Sequence, residues 1–231
     1  MQKHENLEAI LVKRRVRQLL ERPLAGNFDV LHLKETHRHI LQDLPKIGLW
    51  QYNVQPGEFR QETQTWCKER VLASIGDRNG KPDVSFTSYS RMDGKAIERL
   101  NGILKEANPE SLQQLGKAEF VEKIGELYSD LDYIHPFREG NSRTLRTFTD
   151  QLARESGYEL NWEKFSGEEA RDLLYIARDR GLAEHAGKDA DHHPAFLARA
   201  LYDAERHQGY PSLAQLLDKT VERIRTTEQR T

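Results

Sequence analysis

The sequence contains very little cysteine and almost no net charge. Among its 231 residues there is one cysteine, Cys67, which excludes an internal disulfide and fits a reducing compartment. Its 35 Lys and Arg residues nearly balance its 37 Asp and Glu residues, leaving a formal net charge of −2. This balance predicts no broad basic surface, so we expect no nucleic-acid partner.

Long hydrophobic runs are missing as well. No apolar stretch approaches the roughly 20 residues that cross a bilayer. The first residues, MQKHENLEAILVKRR, lack the apolar region of a secretory signal peptide. We therefore expect no membrane-spanning segment and a cytoplasmic location, while delivery by a specialised secretion system that reads another signal stays open.

Apolar residues recur at helical spacing through most of the chain. The clearest series is Phe120, Ile124, Leu127 and Leu131, which predicts a helix that ends at His135-Pro136. Other helices are predicted within 9–20, 33–41 and 97–104, from about 142 and 166, and over 195–206 and 213–225.

The stretch from residue 50 to residue 90 is richer in glycine and proline. Asn79-Gly80 indicates a tight turn. The segments 71–75 and 83–89 flank this turn, and apolar and polar residues alternate in the second one. The sequence therefore predicts an all-α chain interrupted by one small β-hairpin.

The segment HPFREGNSRTLR, residues 135–146, combines unusual residue types in a short space. Its proline ends one helix, and Gly140 permits a backbone turn that other residues avoid. Asn141 or Ser142 is predicted to cap the next helix. The N-terminus of a helix offers unpaired N–H groups and partial positive charge, which together favour an anion.

The charged side chains of this segment indicate that the anion is a phosphate. Arg143 and Arg146 are three residues apart on one helix face and are costly side by side unless an anion binds. Glu139 would repel a phosphate unless a cation such as Mg²⁺ lies between them. A neutral His135 can accept a proton near neutral pH. These groups suit the transfer of a phosphorus-centred group from a nucleotide to a hydroxyl.

Each residue taken alone has a structural explanation. His135 can be a buried helix-end histidine, Glu139 can pair with Arg143 at the surface, and Phe137 belongs to the core in either case. A helix bundle that only binds other proteins is therefore the alternative that spacing leaves open.

The same segment resembles the signature of the Fic ("filamentation induced by cAMP") family, HxFx(D/E)GNGRxxR, and matches every specified position except Ser142. FDVLHLKETHRHIL, PGEFR and FVEKIGELYSDLDYI resemble other stretches of that family. The resemblance implies a helical Fic catalytic domain over residues 5–205, with a β-hairpin called the flap, and a helical extension over 206–231.

Most characterised Fic proteins transfer AMP from ATP to a Tyr, Thr or Ser hydroxyl of a target protein. The resemblance implies that His135 deprotonates this hydroxyl and that Glu139 holds Mg²⁺. It implies that the flap pairs with the target as a strand does. The implied phosphate-binding residues are Arg138, Gly140, Asn141, Ser142, Arg143 and Arg146, and the implied flap residues are Val84, Ser85, Phe86 and Thr87.

Ser142 stands where the Fic signature has glycine, a residue that lets phosphate approach the backbone closely. The identity of the donor of the transferred group therefore stays open. Alternatives are GMP, UMP or phosphocholine transfer on the same fold, or a nucleotide-binding regulatory module with little catalysis. Many relatives carry an inhibitory motif, [S/T]xxxE[G/N], which neither end of this chain contains. We therefore expect a bacterial protein of the class in which a separate small antitoxin supplies the inhibitory glutamate.

Three other features have simpler explanations. Cys67 as a nucleophile is disfavoured because a lone cysteine is usually inert. The histidines within residues 185–196 have irregular spacing for zinc, so a solvated loop is favoured. The basic stretch 13–17 fits a solvated helix face better than a nucleic-acid patch.

Overall fold

The computed structural model describes residues 2–45, 55–61, 64–76, 80–106 and 108–224. Its helices are α1 (Gln2–Glu21), α2 (Val30–Leu41), α3 (Gly94–Glu106), α4 (Pro109–Gln113), α5 (Lys117–Ile134), α6 (Asn141–Glu155), α7 (Glu168–Lys188), α8 (Pro194–Arg206) and α9 (Leu213–Asp218). Its strands are β1 (Trp66–Gly76), β2 (Pro82–Tyr89), β3 (Tyr158–Leu160) and β4 (Val221–Arg223), and a 3-10 helix spans Trp162–Phe165.

Helices α5 and α6 form the centre of the molecule. Leu131 and Ile134 of α5 and Leu145 and Phe148 of α6 are all fully buried in the largest apolar cluster. Both helices are buried on more than one face, and the apolar spacing of the sequence explains this burial. The connection 135–140 therefore joins two helices that are buried in the core.

Strands β1 and β2 form an antiparallel hairpin beside α7 and α8. Trp66 lies opposite Tyr89 and Val71 lies opposite Val84. The predicted hairpin is confirmed, with a longer first arm than the sequence indicated, while the predicted turn residue Asn79 lies outside the described residues. The chain is mostly helical with a small hairpin, so the predicted fold class is confirmed.

The end of the chain differs from the prediction. The helix predicted over 213–225 ends at Asp218, and Val221–Arg223 pairs as strand β4 with β3, Tyr158 lying opposite Arg223. The boundary at residue 205 stays a prediction, but Leu213, Leu217 and Val221 share the central apolar cluster. Pairing with β3, which is distant in sequence, thus takes the place of the predicted last turns of the helix.

Among the helices of the described residues, none combines the length and the apolar character that a bilayer crossing requires.

Candidate functional site

The backbone between α5 and α6 is held in a conformation that few residues adopt. His135 ends α5 with a φ of 48°, in the left-handed region. Arg60 stabilises this turn from outside, since its guanidinium donates to the carbonyls of His135 (2.7 Å), Ile134 (3.1 Å) and Ser90 (2.6 Å). Its backbone N–H also donates to the carbonyl of Pro136 at 2.9 Å. One buried arginine thus secures the strained turn that orients His135.

A second support comes from α2. The ring of His37 stacks on the buried Phe137 with centroids 3.8 Å apart. Its Nδ1 accepts from the Gly57 N–H at 2.8 Å, so its Nε2 carries the proton and donates to the Glu139 carbonyl at 3.0 Å. Burial lowers the pKa of His37 to about 4, which keeps the ring neutral and this pattern intact.

Gly140 and Asn141 complete the turn into α6. Gly140 has a φ of 78°, and a Cβ there would lie 2.8 Å from a methyl group of Leu41, so both conformation and space require glycine. The prediction that Asn141 or Ser142 caps the helix is wrong, because Gly140 is the N-cap. Asn141 instead spans the loop, accepting from the Phe137 N–H (2.9 Å) and donating to its carbonyl (2.6 Å).

The imidazole of His135 lies in an aromatic enclosure and is only 7% exposed. Its centroid is 3.8 Å from that of Tyr89 and 5.4 Å from that of Trp66. Burial lowers its pKa to about 4, against the opposing effect of Asp132, whose Oδ1 lies 3.6 Å from Nδ1. At neutral pH the ring is therefore uncharged and able to accept a proton.

A cavity of about 430 Å³ opens in front of His135. Its walls are β1, the loop 138–140, the first residues of α6 and the middle of α7. Glu139 and Arg138 are exposed, and Ser142 and Arg143 are half-buried on its rim. The first N–H groups of α6 have no partner inside the helix, so this wall offers donors and positive charge to an anion.

Lys68 adds an unexpected charge to the same cavity. It lies on β1, and burial followed by the nearby Arg70 and Arg178 lowers its pKa to about 8. The ammonium is therefore less firmly protonated than an exposed lysine. An anion in the cavity would reverse this effect by stabilising the charged form.

A family model described as "Fic/DOC family" matches residues 27–153, more than half of the chain. The chain belongs to the Fic/DOC family. The matched region runs from the turn before α2 to the last turns of α6, so it contains the loop and both of its supports.

Two curated relatives of this Fic protein have names that include the word adenylyltransferase. The chain is 28% identical over 165 residues to "Protein adenylyltransferase VbhT" of Bartonella schoenbuchensis, covering 71% of this chain and 29% of that protein. It is 36% identical over 133 residues to "Probable protein adenylyltransferase Fic" of Escherichia coli, covering 57% of this chain and 53% of that protein. The chain thus spans 29% and 53% of the lengths of these two relatives.

Solved structures share the fold at low sequence identity. The N-terminal Fic domain of a VirB-translocated Bep effector from Bartonella quintana, with bound ADP, has a TM-score of 0.62 at 16% identity, covering 97% of this chain and 87% of that one. BepC of Bartonella tribocorum, with bound AMPPNP, has a TM-score of 0.61 at 14% identity, covering 97% and 89%.

The two arginines of the Fic signature share one cavity, but only Arg143 also lines the cavity in front of His135. Arg143 lines the cavity in front of His135 and also a second cavity of about 380 Å³. Arg146 lines only the second one, between α1, α6 and the 3-10 helix, where it lies 5.6 Å over the ring of Trp162. Arg143 is also engaged by Glu8 of α1 at 3.2 Å, a contact that the sequence does not indicate.

The four predicted flap residues lie on β2, where little of their surface is open. Ser85, Phe86 and Thr87 are buried and Val84 is 36% exposed. The Phe86 N–H donates to Asp203 of α8 at 2.7 Å, and Arg206 donates to the Val84 carbonyl at 3.1 Å. This edge of the hairpin is therefore occupied by α8, and β1 is the strand that lines the cavity.

The solvated loop predicted for residues 185–196 is wrong in part, because His185 lies in α7 and His192 is buried. Within the described residues, no group of three or more His, Cys, Asp or Glu side chains could hold a metal ion. His192 is buried and bonded to Ser88 and Tyr133 at 2.9 and 3.0 Å. Arg15, from the basic stretch of α1, pairs with Asp43 at 2.6 Å.

Proposed function

We propose that this Fic protein is a protein adenylyltransferase, which transfers AMP from ATP to a hydroxyl group of a target protein. The observation that carries the proposal is the neutral, enclosed His135 in a cavity that the N-terminus of α6 and Arg143 also line. The adenylyltransferase names of the relatives support it, as do the ADP and AMPPNP bound to the structural neighbours.

The proposed reaction uses these groups as follows. His135 accepts the proton of the target hydroxyl, and the hydroxyl oxygen forms a bond to the α-phosphorus of ATP. The bond from that phosphorus to the bridging oxygen breaks, and pyrophosphate leaves with the negative charge. The N–H groups at the start of α6 and the guanidinium of Arg143 stabilise the charge that develops on the phosphate oxygens.

The residues present fit Mg²⁺ bound together with nucleotide. The exposed carboxylate of Glu139 lines the cavity beside the anion site, and Mg²⁺ commonly takes one or two protein carboxylates with the remaining ligands from phosphate and water. Bound there, the ion would neutralise phosphate charge. Glu139 would hold it, and Arg138 on the same rim would add positive charge toward the nucleotide.

We further propose that the target docks along β1 and not along β2. Trp66, Lys68 and Val71 of β1 line the cavity, and Val71 is 61% exposed. An extended target segment beside β1 could form main-chain hydrogen bonds while its hydroxyl reaches His135. The residues Val84–Thr87 would then support the docking strand from behind.

Regulation by a small antitoxin is a proposal of the same kind. Arg143 and Arg146 both line the second cavity, and the Nε of Arg146 is buried and unbonded among the described residues. A glutamate inserted there would meet both guanidiniums.

We also propose a cytoplasmic site of synthesis in a bacterium, with secretion into a host cell as the alternative that the names of the Bartonella effectors suggest.

The test uses ATP labelled on the α- or the γ-phosphate, with Mg²⁺ and cell lysate. AMP transfer labels a protein band with the α-label and not with the γ-label, whereas phosphoryl transfer does the reverse. α-Labelled GTP, UTP and CTP in parallel reveal another nucleotide donor. Binding of nucleotide without any label on protein would favour the regulatory module instead. The matched variants are His135→Ala and His193→Ala, the latter removing an exposed histidine.

A further inference from the structure

Asp132 is a fully buried carboxylate placed directly behind His135. It lies one helical turn earlier on α5 and has no exposed surface. Its Oδ1 lies 3.6 Å from Nδ1 of His135. The Nε and Nη2 atoms of Arg178 on α7 donate to its two oxygens, both at 2.9 Å. Asp132 does not line the cavity, so it can act on a substrate only through a neighbour that does, and both His135 and Arg178 line it.

The two nitrogens of the His135 ring are in different situations. Nδ1 is buried and has no hydrogen-bond partner among the described residues. The ring itself lines the cavity, so the other nitrogen, Nε2, is the atom available to a substrate. A separation of 3.6 Å is longer than a hydrogen bond, but such bonds in active sites often shorten only when substrate binds.

We propose that Asp132, clamped by Arg178, is the positioning residue that keeps the proton on Nδ1 of His135 and leaves the Nε2 lone pair facing the target hydroxyl. The proposal rests on the proposed role of His135 as the base. It assigns the base atom, and it gives the Asp132–Arg178 pair a part in the reaction beyond joining α5 to α7.

Arg178 has a defined part in this device. Burial alone would raise the pKa of Asp132, but the Arg178 guanidinium and His135 outweigh it and hold the pKa well below its usual range. Asp132 therefore stays ionised when His135 takes up the proton of the hydroxyl. The proton remains on the imidazolium, which the carboxylate stabilises, until it leaves to solvent after the transfer.

The charges around His135 oppose one another. Lys68 of β1 and Arg60 lower its pKa, whereas Asp132 raises it. Tyr89 of β2 packs on the ring, and burial raises the pKa of this phenol to about 12, so it stays neutral. Removing the Asp132 charge therefore has one predicted direction, a further fall of the pKa of His135.

The first measurement needs no activity. In protein with ¹⁵N-labelled histidine, long-range proton–nitrogen correlations at neutral pH report which ring nitrogen of His135 carries the proton, with His135→Ala used for assignment. The proposal predicts the Nδ1–H form. Finding the Nε2–H form as the main species would overturn it, even if no variant of Asp132 folds.

The second measurement compares Asp132→Asn with Asp130→Asn. Asp130 lies on the same helix and has a histidine of its own, since its Oδ1 is 3.5 Å from Nδ1 of His185. In Asp132→Asn we expect the pKa of His135 to fall by about one unit or more. The acidic limb of the kcat profile should move to lower pH, and kcat should fall by up to about 100-fold with an unchanged KM for ATP. Asp130→Asn should alter none of these.

A folded Asp132→Asn protein with the pKa of His135 and the kcat of the wild type would show that the pair is purely structural. If no transfer to protein is ever observed, the proposed function fails. The tautomer and the pKa of His135 still test the positioning role independently.

Discussion

The two ends of the 135–146 segment are built in opposite ways. The His135 end is closed, because His135 is enclosed by Trp66 and Tyr89 and its backbone is held by the buried Arg60. The end that carries Glu139 and Arg143 is open, since Glu139 is exposed and Arg143 is half-buried beside the cavity. Both ends come from one short stretch of sequence, so the difference lies in what packs against them.

This difference matches the chemistry proposed for each end. A base must be neutral and fixed in direction, which burial and a clamped backbone provide. A site for a charged nucleotide must admit its ligand with water and cations, which an exposed rim allows. Variants at the closed end should therefore change rate or stability, and variants at the open end should change nucleotide affinity.

The largest predicted effect at the open end is that of Arg143→Ala. Loss of a charged hydrogen-bond donor to phosphate should weaken ATP binding by about 10- to 100-fold. Isothermal titration calorimetry with Mg²⁺ present measures this change. Arg17→Ala, on the exposed surface of α1, is the control and should bind ATP as the wild type does. Equal affinity in Arg143→Ala and the wild type would remove Arg143 from the phosphate site.

Gly140→Ala tests the tight turn at Gly140, which joins the two ends of the segment. The added methyl group meets Leu41 in a left-handed backbone, so we expect the free energy of unfolding to fall by about 1–3 kcal/mol. Chemical denaturation measures it. Gly187→Ala is the matched control, because that glycine lies in α7 with open space around its Cβ position and the change should stabilise slightly. A free energy of unfolding in Gly140→Ala equal to or above that of the wild type would contradict the strained-loop account.

We expect the free energy of unfolding to fall at acidic pH, because two histidines packed at the loop are buried and neutral. His135 and His37 have pKa values of about 4 in the folded chain, below the value of about 6.5 expected after unfolding. Their contribution to stability is complete above pH 6.5 and is lost as the pH falls toward 4. Each adds a slope of up to about 1.4 kcal/mol per pH unit over that window.

Denaturation curves between pH 7 and 4 measure this slope, and His37→Gln should reduce it, whereas His193→Gln should not. A slope that stays the same in His37→Gln would mean that this ring is protonated in the folded state.

The smallest effect is expected from Glu8→Gln. Glu8 is partly buried beside Arg143, and in the proposed site it would compete with phosphate for the Arg143 guanidinium. Neutralising Glu8 should raise ATP affinity a few-fold at most, since an incompletely buried ion pair contributes about 1 kcal/mol or less. Calorimetry at two salt concentrations measures it, and Glu21→Gln, at the other end of α1, is the control. A weaker affinity in Glu8→Gln would show that Glu8 supports the phosphate site.

Structural features formed by residues adjacent in the chain could be predicted from the sequence. The 135–146 segment contains its own helix breaks, glycine and charges, so its role as a loop before a helix N-terminus follows from local rules. The helix of residues 117–134 follows equally from its apolar spacing.

Supports that close on the loop from far along the chain could not be read in this way. Arg60, His37 and Arg178 are 75, 102 and 46 residues from the atoms they hold. Nothing local distinguishes them from surface residues of the same types. The early end of α9 has the same origin, since β4 forms only because β3 is present to pair with it.

The most direct test of the account measures binding and transfer on one sample of His135→Ala. The account predicts an ATP affinity close to that of the wild type, because the nucleotide is held at the open end. It also predicts a loss of AMP transfer of about 100-fold or more, because the base is gone. Undiminished transfer by a folded His135→Ala protein would contradict the assignment of the closed end as the site of the base.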